Sequence, residues 1–104
     1  MALMYIAGPI RDTKNYREKF MNAQIDIASK GWGTFNPGLL PSDTSRRRAM
    51  GIDLAAVLNS DAVFALPGHE KSEGAMIEIA LADYLGIPVY KNPDDVPDLF
   101  DIDS

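Results

Sequence analysis

The chain has 104 residues, 46% of them apolar and 24% charged, with one histidine and no cysteine. That composition fits one compact domain and excludes a disulfide framework, a thiolate metal site, a cysteine nucleophile and a centre built from several histidines. All ten Lys and Arg lie within residues 1–92 beside ten of the 15 Asp and Glu, so the formal charge of −5 belongs to the last twelve residues, which hold five Asp.

Leu3 to Ala7 form an apolar run closed by Gly8-Pro9, which predicts a strand buried on both faces. From Asn15 the pattern changes: Tyr16, Phe20, Ala23 and Ile27 recur at helical spacing, with Gly31 at the position of a C-cap. Gly33 to Asn36, ahead of Pro37, predicts a short second strand, and residues 37–45 a loop. Ser45 is placed to cap a second helix running through Met50, Ile52, Leu54, Val57 and Leu58 to Asn59-Ser60. Ala62 to Leu66 is a third strand, stopped by Pro67-Gly68. A third helix follows from Glu73 to Leu85, closed by Gly86, and Ile87 to Tyr90 is a fourth strand.

Strands and helices alternate, and the strands show no polar alternation. The expected fold is therefore α/β: a small doubly wound, flavodoxin- or Rossmann-like sheet of four to five mostly parallel strands flanked by helices on both faces. Residues 1–92 form the single domain. Residues 93–104 form a tail in which Asp94, Asp95, Asp98, Asp101 and Asp103 alternate with Val96, Leu99, Phe100 and Ile102. A solvated, poorly ordered tail is expected, with docking on a neighbouring subunit as the alternative.

Only Arg46, Arg47 and Arg48 cluster, so no basic face for a nucleic acid polymer is expected. No apolar run approaches the roughly 18 residues of a membrane span. The N-terminus has neither the basic flank nor the apolar stretch of a signal peptide, and a cytoplasmic protein, without membrane attachment, is the expectation. Neither G-x-G-x-x-G nor G-x-x-x-x-G-K-[ST] occurs.

Ligands of such folds sit at the C-terminal ends of strands, which directs attention to residues 8–15, 36–45 and 67–78. Glu78 is flanked by Met76, Ile77, Ile79 and Ala80, a setting that desolvates a carboxylate and suits a nucleophile or general base, although a surface glutamate on an amphipathic helix has the same spacing. Ser72, Glu73 and Gly74 open the third helix, where free amides favour an anion and where a serine also serves as a plain N-cap. Asp53 shares the face of Met50 and Val57, and an acid on a buried stripe must be paired or functional. Residues 46–48 read either as a solvated helix start or as a phosphate clamp. His69 reads as an exposed loop residue or as a base lining the site.

The segments Met4-Tyr5-Ile6-Ala7-Gly8-Pro9-Ile10, Asn36-Pro37, Asp53 ahead of Asn59-Ser60-Asp61-Ala62-Val63, and Leu66 to Glu78 together resemble the nucleoside 2-deoxyribosyltransferase-like superfamily. Within it the chain is similar, over residues 4–90, to the short, often phage-encoded proteins of the domain family of unknown function 4406, which would place it in a host cytoplasm. The resemblance implies roles by position. Glu78 matches the catalytic glutamate that attacks the anomeric carbon of the (deoxy)ribose, Tyr5 the tyrosine that orients it, and Asp53 the aspartate that handles the nucleobase. Ser72 matches the serine with which the related 2'-deoxynucleoside 5'-phosphate N-hydrolases bind the 5'-phosphate, where transferases tend to have an aspartate. Arg11 matches an arginine of those hydrolases. Gly8, Pro9, Ile10, Gly74 and His69 complete the implied substrate-binding set. The chain departs from the hydrolases at Pro9, where they have a hydroxyl residue, and at Glu73, whose charge Lys71 and Arg11 are placed to offset.

Cleavage of an N-glycosidic bond builds positive charge on the sugar and negative charge on the departing base, so an anion near C1' and a proton donor near the base suffice, with no metal or cofactor. The expected partner is a small nucleoside or nucleotide. Ionised Glu78 forms the glycosyl intermediate and Asp53 supplies or relays the proton; water or a second base then resolves it. The resemblance also implies a homodimer or higher homo-oligomer with sites between subunits. Two readings compete with catalysis: a module that binds a nucleotide or nucleotide-derived signal without turnover, and an interaction protein working through its acidic tail.

Overall fold

The structure, a computed structural model, describes residues 1–100. Its elements are β1 (Leu3–Ala7), α1 (Tyr16–Ala28), β2 (Gly33–Phe35), α2 (Arg46–Leu58), β3 (Ala62–Ala65), α3 (Glu73–Leu85) and β4 (Val89–Tyr90). Single turns of 3-10 helix lie at Pro37–Leu39, His69–Lys71 and Pro93–Asp95. The four strands are all parallel, in the order β2-β1-β3-β4. This is the doubly wound α/β class that the alternating apolar runs predict.

The pleat of β1 and β3 sorts their side chains between two cores. Met4, Ile6, Ala62 and Phe64 pack with Phe20, Ala23 and Ile27 of α1 and with Trp32. Tyr5, Ala7, Val63 and Ala65 pack on the other face with Val57 of α2 and Ala75, Ile79 and Ala82 of α3. Because β2 and β3 flank β1 on opposite sides, the strand order reverses at β1. The crevice for a ligand therefore opens beyond the carboxyl ends of β1 and β3.

Several boundaries and faces differ from the sequence expectation. Helix α1 ends at Ala28 with Ser29 as its C-cap, and Gly31 lies two residues further on, at φ 94°, where its N–H donates to Ala28 O at 3.0 Å. Strand β4 starts only at Val89: Gly86 turns left-handed at φ 74° and the Ile87 N–H closes the helix end on Ala82 O. In α2 only Asp53 and Val57 are buried, while Ile52 and Leu58 face outward, because each lies about 100° around the helix from the buried pair.

The C-terminal segment through residue 100 is a packed strap, in contrast to the solvated tail expected from its charge. Val96 is buried, the Trp32 indole N–H donates to Pro97 O at 2.8 Å, and the Leu99 N–H donates to Lys30 O at 2.7 Å. The Lys30 ammonium donates to Pro93 O and, at 3.3 Å, to Val96 O. One apolar anchor and four bonds to the main chain thus override the aspartates, which stay on the solvent side. Asp101, Ile102 and Asp103 lie outside the described residues.

Candidate active site

Tyr5, Asp53 and Glu78 come from three elements and meet on the α2/α3 face of the sheet. Tyr5 is the middle residue of β1 and is fully buried, its ring stacked on Phe35 of β2 with centroids 5.7 Å apart and planes 14° from parallel. Asp53 is 7% exposed on α2 and Glu78 is 5% exposed on α3. Both carboxylates act on the Tyr5 hydroxyl electrostatically, yet Tyr5 Oη and Asp53 Oδ1 have no hydrogen-bond partner meeting normal geometry among the described residues. The three groups are close enough to shift one another's proton equilibria, so Tyr5, Asp53 and Glu78 form one coupled polar cluster in an otherwise apolar core.

Burial, then the Asp53 charge, pushes Glu78 up to about 8, with a hydrogen-bonding contribution from Tyr5 acting in the other direction. Burial pushes Asp53 up to about 6, partly offset by Glu78 and Tyr5. The Tyr5 phenol is raised far above its ordinary value by burial and then by the two carboxylates. Two like charges in one dry site disfavour double ionisation, so burial and mutual repulsion favour a pair that shares one proton.

Asp53 and Glu78 line an open cleft of about 1070 Å³ at the crevice between β1 and β3. Gly8, Pro9, Ile10 and Arg11 supply one wall, and Ser72 and Gly74 another. Gly8 is required by close approach, since a Cβ there would meet Leu66 Cβ and Cδ1 at 2.9 Å. Ser72 Oγ accepts from the Ala75 N–H at 3.2 Å, so it caps α3 as well as facing the cleft. Asp12 and Asn15, in the loop that carries Arg11, both adopt left-handed backbone with φ 56° and 59°.

His69 does not line the cleft. Its Nδ1 lies 2.8 Å from Leu66 O, and because a carbonyl only accepts, that contact places the proton on Nδ1 and ties the ring to its own turn. Of the three clustered arginines, only Arg46 reaches the cleft. Lys14 and Lys19 line it too, although no motif singled them out; their place in the segment after β1 was the available signal. With Arg11 and Lys71 they make five cations around the cleft, facing Asp12 and Glu73 at the walls and the two buried acids. None has a carboxylate within ion-pair distance among the described residues, where the one such contact is His69 with Glu70 at 3.5 Å. No group of three or more His, Cys, Asp or Glu among the described residues is arranged to hold a metal ion. No helix among them is long and apolar enough to cross a membrane.

A family model described as domain of unknown function, DUF4406, matches residues 2–91. The chain belongs to the DUF4406 family. A search of curated proteins finds no match. Among solved structures this DUF4406 chain is similar to a 2-deoxyribosyltransferase from the psychrotolerant bacterium Bacillus psychrosaccharolyticus, at 23% identity and a TM-score of 0.66, covering 85% of this chain and 69% of that one. Membership of the DUF4406 family is thus borne out, and the fold is similar to that of a 2-deoxyribosyltransferase.

Proposed function

We propose that this DUF4406 protein cleaves the N-glycosidic bond of a nucleoside 5'-monophosphate or deoxynucleoside, passing the sugar to water or to a second base. The observation that carries this reading is the buried Tyr5–Asp53–Glu78 constellation, whose two carboxylates line the switch-point cleft. The similarity in fold to a 2-deoxyribosyltransferase supports it.

In the proposed reaction the single proton of the pair moves to Asp53 and on to the departing base nitrogen, leaving Glu78 ionised. A Glu78 carboxylate oxygen attacks C1' while the C1'–N bond breaks and its electron pair leaves on the base. Water, or a nitrogen of a second base, then attacks C1' and releases Glu78, and the proton shed by that nucleophile returns to the pair. Tyr5 orients Glu78 and keeps water from its back side. The five cations favour a substrate bearing a 5'-phosphate, with Arg11 and Lys71 beside Ser72 as its holders. Self-association belongs to the same proposal: Met76, Ile77 and Tyr84 leave an apolar outward face on α3, and Ile77 also lines the cleft, so a second copy seated there would close the open side.

The raised proton affinity of the buried pair supports one second reading. A neutral carboxylic acid donates a hydrogen bond but is a poor nucleophile, and the same cleft would then hold a nucleotide without turnover. The deciding experiment incubates the protein with a panel of nucleosides and 5'-monophosphates and follows free base by chromatography. Base release that fails with Glu78→Ala supports catalysis. Tight calorimetric binding that survives Glu78→Gln, with no base after long incubation, replaces it with the binding reading.

A further inference from the structure

On the opposite face of the sheet from Glu78, a second cavity of about 190 Å³ runs between α1 and the C-terminal strap. Its floor is apolar: Ala23, Ile27, Phe64, Leu66 and Val96 line it, each at least nine-tenths buried. Its rim is basic, with Lys19, Lys30 and Lys91 set against the single acid Asp26. Lys30 is committed to the strap, donating to Pro93 O and Val96 O, and so fixes one wall. Lys19 and Lys91 have no hydrogen-bond or ion-pair partner among the described residues. Both stand at the carboxyl end of the sheet, Lys19 on the first turns of α1 and Lys91 directly after β4, whereas Asp26 lies two turns further along the helix.

We propose that this groove is a second ligand site, distinct from the catalytic cleft, for a small amphipathic anion: one apolar ring carrying a carboxylate or phosphate. Size sets the body of the ligand, since a dry aliphatic cavity of about 150 Å³ holds benzene and this one is slightly larger. Charge sets the head, which sits between Lys19 and Lys91 while the ring lies over Ile27, Phe64 and Val96. The site adjoins the cleft, with which it shares Lys19 and Pro67. A concave apolar floor with a few convergent polar groups is the general form of a small-molecule site.

The test titrates the full-length ¹⁵N-labelled protein with benzoate and phenyl phosphate, with benzyl alcohol as the uncharged isostere and inorganic phosphate as the head without a body. Both ring-bearing anions should shift the amides of Ala23, Ile27, Phe64 and Lys91 saturably. Benzyl alcohol and inorganic phosphate should bind weaker by at least about fivefold, and Lys91→Gln should weaken the anions by about the same factor. Ala23→Leu, which fills the groove, should abolish the shifts; Lys91→Gln changes only an exposed side chain and keeps the test valid if the leucine perturbs the core. Absence of saturable shifts at these amides, equal binding of the alcohol, or shifts confined to residues 8–15 and 72–78 would overturn the proposal.

Discussion

The two faces of the sheet use the same strands for different ends. Toward α1, β1 and β3 present Met4, Ile6 and Phe64, which interlock with Phe20, Ile27 and Trp32 into a core of large side chains with no buried acid. Toward α2 and α3 they present Tyr5, Ala7, Val63 and Ala65 against Ala75 and Ala82, and the volume saved by the alanines admits Asp53 and Glu78. The first face carries the larger buried side chains, and the second gives up apolar contact for two shifted proton equilibria. A buried polar group in a small domain persists at such a cost where function selects it.

Substitutions that exchange these roles should separate the faces. Phe20→Ala, in the large-side-chain core, should destabilise the fold by about 3–5 kcal/mol in denaturant titration. Tyr5→Phe, deep in the other core, removes only a hydroxyl set against the two carboxylates and should cost about 1 kcal/mol, while lowering any base-releasing rate severalfold. A comparable loss of stability from both would erase the distinction.

The pH dependence of stability reports on the second face. Glu78 binds its proton more tightly folded, near 8, than unfolded, near 4.5, so the folded state holds more protons across that window. Its contribution is complete below pH 4.5 and is lost as the pH rises through 8. The Glu78 contribution to the slope is negative and at most about 1.4 kcal/mol per pH unit; Asp53, raised to about 6, adds a second such contribution at lower pH, so Glu78→Gln should flatten the slope between about pH 6 and 8. A slope unchanged by that substitution would place the titrating group elsewhere. The strap gives a similarly small effect, on stability alone: Trp32→Phe removes the bond to Pro97 O and should cost about 1 kcal/mol, with no change in the slope.

The element order was legible because β1 and β3 are unbroken apolar runs and Gly86 marks a helix end. On α2, Asp53 shares the buried stripe with Val57 as its spacing implied, while Ile52 and Leu58 are apolar and yet point outward, so apolar character alone did not mark the buried face. The strap escaped notice because five aspartates dominate its composition, while its anchoring rests on Val96 and on carbonyls that a sequence pattern does not display. In the site, the burial of Glu78 and Asp53 followed from their apolar neighbours. Tyr5 was reached through resemblance alone, since a tyrosine in an apolar run reads as core. Lys14, Lys19 and Arg46 depended on loop geometry, and the exclusion of His69 on one hydrogen bond within its turn.

The most direct measurement is the pH profile of base release from the nucleotide that turns over fastest, for the wild type and for Glu78→Gln verified as folded. The one-proton pair predicts a bell-shaped rate with limbs near the two apparent values, about 6 and about 8, and a fall of at least about a thousandfold in the variant. Base release by folded Glu78→Gln at the wild-type rate and with the same profile would contradict the assignment of Glu78 as the group that attacks the sugar.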